Sequence, residues 1–189
     1  MRKLIVQQWV TVDNIVAEED GGLSFVSGEP FDDEVTDNPF QNEMMAFIGS
    51  VDTVILGANT YGQFKGYWPY AEEQGEYGRK VNGLTKFVAS STLDDAPWGD
   101  FPAATVTRDP AATIRELKGQ SGGDIVLWGS LTLMRSLVEA GLVDEVRMLV
   151  CPASRGEGTH LFSDRRDLKL VEATGFENGL ALVRYEIEK

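Results

Sequence analysis

Residues Asp124 to Cys151 constrain this chain most, because they read as strand, tight turn, helix and strand. Ile125 to Trp128 is a short apolar run, as expected of a strand covered on both faces. Gly129 and Ser130 follow at once, and Leu131, Met134, Leu137 and Val138 then recur at helical spacing. Gly141 stands where a left-handed helix cap belongs, and Val143 to Val150 is the next strand. Parallel strands need such a crossover helix. A Gly–small pair between strand and helix also turns backbone N–H groups toward a ligand, and the helix N-terminus adds positive potential. The alternative at this stage is a plain strand-to-helix turn that binds nothing.

The rest of the chain extends the pattern. Leu4 to Val12 is β-rich and reads as a central first strand, which Ile15 to Ala17 continues beyond an Asp13-Asn14 turn. Glu18 to Gly22 is an acidic loop, and residues 23–38 have no period; their acids (Glu29, Asp32, Asp33, Glu34, Asp37) read as solvated surface. Asn38-Pro39 and Asp109-Pro110 are helix starts, each an N-cap followed by proline. Val51 to Leu56, Thr85 to Ala89 and Ala103 to Val106 read as strands. Residues 65–83 read as an aromatic, Gly-rich loop with a helical turn near 71–80. Leu168 to Thr174 and Leu180 to Glu188 flank Asn178-Gly179, a hairpin signal, and the alternation of Val183, Tyr185 and Ile187 with charges predicts one wet face. The expectation is one α/β domain over residues 1–189, with a mostly parallel sheet and an antiparallel C-terminal hairpin.

The charge balance narrows the partners. Seventeen Lys and Arg stand against 30 Asp and Glu, for a net charge of −13. Nucleic acid and anionic membranes require the opposite sign, so neither is expected. No run reaches the roughly 18 apolar residues of a membrane span. Met1 to Val6 lacks a secretory pattern, so a soluble, cytoplasmic protein is expected. The single cysteine, Cys151, allows no internal disulfide and reads as a small core residue. One His and one Cys give a zinc site or a Ser-His-Asp triad little material; His160 reads as a loop-surface residue.

Three junctions lie at the carboxyl ends of strands, where open α/β sheets bind ligands: Leu56-Gly57-Ala58-Asn59-Thr60-Tyr61, Val88-Ala89-Ser90-Ser91 and Trp128-Gly129-Ser130. With Thr11-Val12-Asp13-Asn14-Ile15, Gly141 to Glu145 and the Gly156 to Phe162 loop, they make the chain resemble the dihydrofolate reductase family. The resemblance runs end to end. It is to the bacterial branch that looks like the reductase domain of the riboflavin-biosynthesis deaminase-reductase. It implies a three-layer fold, a homodimer built partly from the C-terminal strands, and NADPH as cofactor, with NADH the alternative. It also implies hydride transfer to a pteridine-, pyrimidine- or flavin-like molecule, or a homologue that keeps the fold and binds without turnover. Gly57 and Thr60 would then face the pyrophosphate, Ser90 and Ser91 the adenosine with its 2′-phosphate, and Gly129, Ser130 and Leu131 the second phosphate loop. Val16 and Ala17 would edge the nicotinamide. Two departures stand out: the family's usual Arg is Ala58 here, and its Gly-Gly pair, often joined by a cis bond, is Gly129-Ser130.

For the chemistry, Glu43 is the candidate general acid on the helix before the second strand, the alternative being an exposed helix carboxylate. Trp9, Tyr61, Tyr67 and Trp68 are candidate platforms for a flat ring, with core or lid packing as the alternative. Asp13 is either a substrate-orienting carboxylate or a turn residue.

Overall fold

The computed structural model describes residues 1–26, 37–162 and 164–188. The chain forms two compact units, Met1–Leu4 with Pro30–Leu142, and Ile5–Glu29 with Val143–Lys189. Four of the five acids expected as surface between residues 23 and 38 lie outside the described residues; the fifth, Asp37, is exposed.

The first unit contains α1 (Pro39–Ser50), β1 (Val51–Gly57), α2 (Ala58–Phe64), α3 (Gly75–Gly83), β2 (Thr85–Ala89), β3 (Thr105–Thr107), α4 (Pro110–Gly119), β4 (Asp124–Trp128) and α5 (Leu131–Glu139). Its strands hydrogen-bond in the order β3-β2-β1-β4, every pairing parallel. The apolar runs explain the placement: Ile55, Leu56, Ile125, Val126 and Leu127 lose all solvent contact, as strands buried on both faces must. Both proline-marked helix starts are present. Asn38 Oδ1 accepts from the N–H groups of Phe40 and Gln41, and Asp109 accepts from Ala112 N–H. Helix α1 buries Met44, Phe47 and Ile48, the face expected from its spacing. It runs one residue past Gly49 and passes directly into β1.

Residues 65–83 are more ordered than the sequence suggested. Two short 3-10 turns, at Trp68–Tyr70 and Glu72–Gln74, lead into α3. The helix hides from pattern reading because its buried face is Tyr77, Gly78, Val81 and Asn82, half of it not apolar. Lys86 secures its end: the buried ammonium donates to the carbonyls of Asn82 and Leu84 at 2.6 and 2.7 Å.

The second unit contains β5 (Leu4–Thr11), β6 (Ile15–Ala17), β7 (Glu145–Cys151), β8 (Thr159–His160), β9 (Leu168–Gly175) and β10 (Ala181–Ile187). Strand β5 pairs with β7 in parallel; β10 pairs antiparallel with both β7 and β9, as the hairpin signal required. Strand β6 does not continue β5. Asn14 adopts the left-handed region (φ 65°), which turns the chain, and β6 pairs instead with β8. The charged face of the hairpin is also not simply wet. Arg184 pairs with Glu145, whose side chain is only 2% exposed, and with Glu172. Among the described residues, no helix is long and apolar enough to cross a membrane.

Candidate functional site

Adjacent parallel strands bring three of the expected junctions together at their carboxyl ends. Gly57 ends β1, Ala89 pairs with it at the end of β2, and Trp128 ends β4 on the other side of β1. Strands lie about 4.8 Å apart, so the loops that follow share one rim.

Two of these junctions are cross-linked. Gly57 N–H donates to Ser130 Oγ at 2.7 Å, and Ser130 N–H donates to Thr60 Oγ1 at 3.0 Å. The Ser130 hydroxyl also donates to Trp128 O at 3.0 Å. Gly129 and Ser130 are both left-handed, at φ 56° and 55°, and the bond between them is trans. Gly129 is required twice over. Its φ disfavours a side chain, and a Cβ there would lie 2.8 Å from Thr60 Oγ1. Ser130 is the N-cap of α5 but makes no side-chain cap bond to that helix. The first-turn N–H groups beginning at Leu131 therefore form the exposed positive end of a helix dipole.

The third junction carries the only nearby cation that replaces the missing one. Ala58 is the first residue of α2 and brings no charge. Arg108, just past β3, donates to the Ser90 and Leu93 carbonyls and lies 3.6 Å from Asp94. Ser90 Oγ accepts from Thr92 and Leu93 N–H, which closes a tight loop and leaves Ser91 exposed. Sequence reading named Ser90 and Ser91 and missed Arg108. Its clue was the Thr-Arg-Asp-Pro run, read only for its helix start.

These groups fit a dinucleotide's anionic half. Backbone N–H groups, two hydroxyls and one cation converge where side chains are small, and Gly57 lets a ligand approach the main chain closely. The ring platforms are less open. Tyr61 is 1% exposed, donates its hydroxyl to Pro97 O and lies 6.3 Å from the Trp98 ring. Trp68 is half-buried against Phe64, Tyr67 and Tyr77, and Phe64 in turn touches Trp128. Tyr67 keeps an exposed edge. Glu43 is half-buried on α1.

The remaining candidates belong to the second unit. Trp9 is half-buried on β5, opposite Leu149. Val16 is buried and Ala17 half-buried on β6. Asp13 is engaged by its own neighbours: Ser154 Oγ, Arg155 N–H and Gly156 N–H all donate to its carboxylate. Together with Thr11 they hold its pKa well below the usual carboxylate range. It acts here as a loop anchor, the turn-residue reading rather than the substrate-orienting one. Cys151 is buried, and burial pushes its thiol up to about 11, so it is an inert core residue. His160 is exposed in β8. No cluster of metal-ligating side chains occurs among the described residues.

Comparison with known proteins agrees with this geometry. The uncharacterized protein YyaP of Bacillus subtilis is 28% identical over 190 residues, covering 97% of this chain and 94% of its own. A provisionally named riboflavin biosynthesis protein from Shewanella sp. PV-4 superposes with a TM-score of 0.73 at 18% identity, covering 99% of both chains. The diaminohydroxyphosphoribosylaminopyrimidine deaminase/5-amino-6-(5-phosphoribosylamino)uracil reductase of Thermotoga maritima does so at 0.65 and 13% identity, over 99% of this chain and 57% of that longer one. The model of the RibD C-terminal domain matches residues 2–182, so the chain belongs to the RibD C-terminal domain family.

Proposed function

We propose that this protein is an NADPH-dependent reductase of a small pyrimidine-, pteridine- or flavin-like heterocycle, acting as a homodimer in the cytoplasm. The observation that carries the reading is the cross-linked pair of junctions, Gly57–Ser130–Thr60, beside the side-chain-free N-terminus of α5. That arrangement suits a pyrophosphate, and the bound dinucleotide would supply the hydride. Arg108 beside Ser90 favours a 2′-phosphate on the adenosine, hence NADPH over NADH. The aminouracil named for the Thermotoga maritima relative is the first acceptor to test.

The chain's own groups then divide the work. Gly57, Thr60, Gly129, Ser130 and Leu131 hold phosphate; Ser90, Ser91 and Arg108 hold the adenosine end; Val16 and Ala17 edge the nicotinamide. Trp9 and Trp68 are the half-buried rings left for a flat acceptor, and Glu43 is the proton donor to the reduced C=N bond. The test is NADPH oxidation with aminouracil, pterin and flavin acceptors. Turnover with one class is expected, and Glu43→Gln should lower kcat about a hundredfold while leaving NADPH affinity unchanged. Unchanged turnover would return Glu43 to the surface.

One observation favours a second reading, a dinucleotide-binding homologue without turnover. The Ser130 hydroxyl already occupies Gly57 N–H, and Ala58 brings no charge to the phosphates. Tight NADPH binding with no oxidation by any of these acceptors would select it.

A further inference from the structure

The densest polar network outside the phosphate loops lies in the second unit, where residues 153–161 meet residues 11–25. The Asp13 carboxylate gathers Ser154 Oγ at 2.8 Å, Arg155 N–H at 3.0 Å and Gly156 N–H at 2.7 Å. Arg155 then reaches back along the chain. Its Nε donates to Glu18, its Nη2 donates to Ser24 Oγ at 3.2 Å, and its guanidinium lies 5.8 Å from the centre of the buried Phe25 ring. Glu18 also accepts the Ser24 hydroxyl at 2.6 Å. Between Asp13 and Glu18 in the chain lies β6.

One residue therefore grips both ends of that strand. Asp13 holds Arg155 by its main chain on one side of β6, and Glu18 holds it by its side chain on the other. A three-residue strand paired only to the two residues of β8 has too few bonds to stay ordered alone. Gly158 sets the closeness of the pairing, since a Cβ there would lie 2.6 Å from Ala17 O. The Arg155–Glu18 pair is better protected than an ordinary surface pair, with side chains 30% and 21% exposed.

We propose that Arg155 is a positioning residue: fixed by Asp13 and Glu18, it holds β6 so that the Val16–Ala17 main chain presents a preformed edge to the nicotinamide ring. The inference rests on the dinucleotide reading above. A strand already ordered spares the bound ring the entropy of ordering it, and keeps the ring in one orientation.

The test compares NADPH with 2′-phospho-ADP-ribose, which lacks only the nicotinamide, by calorimetry on the full chain. The ratio of the two dissociation constants reads the ring's own contribution. Arg155→Met should leave the fragment's affinity within about twofold and weaken NADPH about tenfold, with Arg155→Lys recovering part of the loss. Hydrogen exchange at residues 15–17 should accelerate in the same variant. An unchanged ratio, or equal weakening of both ligands, overturns the proposal, because a merely structural role would not separate them. Should Arg155→Met fail to fold, Glu18→Ala breaks only the side-chain grip and must show the same split. If the wild type binds neither probe, the dinucleotide reading itself fails and the inference falls with it.

Discussion

At the residue scale, the pivotal group is Ser130. Its hydroxyl accepts from Gly57 N–H, and its own N–H is taken by Thr60, so two donors of the phosphate cradle are already satisfied. It also sits in the left-handed region at φ 55°, which costs an L-residue roughly 1–2 kcal/mol. Ser130→Gly relieves that strain and frees Gly57 N–H for a phosphate oxygen. One hydrogen bond to a charged acceptor is worth about 1.5–3 kcal/mol. We therefore predict that Ser130→Gly tightens NADPH binding about tenfold or more in calorimetric titration; weaker binding would mean the serine preorganises the loop instead. The sequence disclosed that Gly129 and Ser130 stand at a strand end. It did not disclose that Ser130 reaches Gly57, because the two are far apart in the chain and meet only through parallel pairing.

At the element scale, helices with terminal punctuation were legible and the one without it was not. Asn38-Pro39 and Asp109-Pro110 announced α1 and α4 because a capping side chain and a proline act locally. Helix α3 carries no cap side chain, starts and ends on glycine, and is held from outside by Lys86. Lys86 is 4% exposed, with the Trp98 ring 5.1 Å from its ammonium, and desolvation lowers its pKa to about 8. In the unfolded chain the same amine titrates near 10.4. Below about pH 8 both states are charged and the folded state bears the whole burial cost. Between these two values the unfolded chain binds more protons, so this contribution to stability rises with pH. Comparing the wild type with Lys86→Met in urea, the difference should move toward the wild type by up to about 3 kcal/mol between pH 7 and 10. A difference that is flat with pH would show that the lysine keeps an ordinary pKa. Strand β6 misled sequence reading for a related reason: nothing local signals that Asn14 turns left-handed and passes the chain to β8.

At the scale of the whole molecule, the alternation of strands and helices was readable end to end because burial writes long apolar runs into parallel strands. The assembly was not, because it depends on a surface whose partner is another chain. Strand β9 ends the pairing order of its sheet, and Leu170 and Val171 on it are 55% and 44% exposed. An open apolar edge of this kind invites pairing or burial. If a second copy covers it, light scattering should give a dimer at micromolar concentration, and Leu170→Asp should shift it to monomer; a monomeric wild type would refute the assembly. The central claim, that the rim formed by Gly57, Ser90 and Gly129 holds a nicotinamide dinucleotide, is tested most directly by calorimetric titration of the wild type with NADPH and NADH. The account predicts saturable binding at one site per chain, tighter for NADPH, and lost in Gly129→Val, whose side chain would collide with Thr60. Absence of any heat of binding for either dinucleotide at millimolar concentration, from a wild type that unfolds cooperatively, would contradict it.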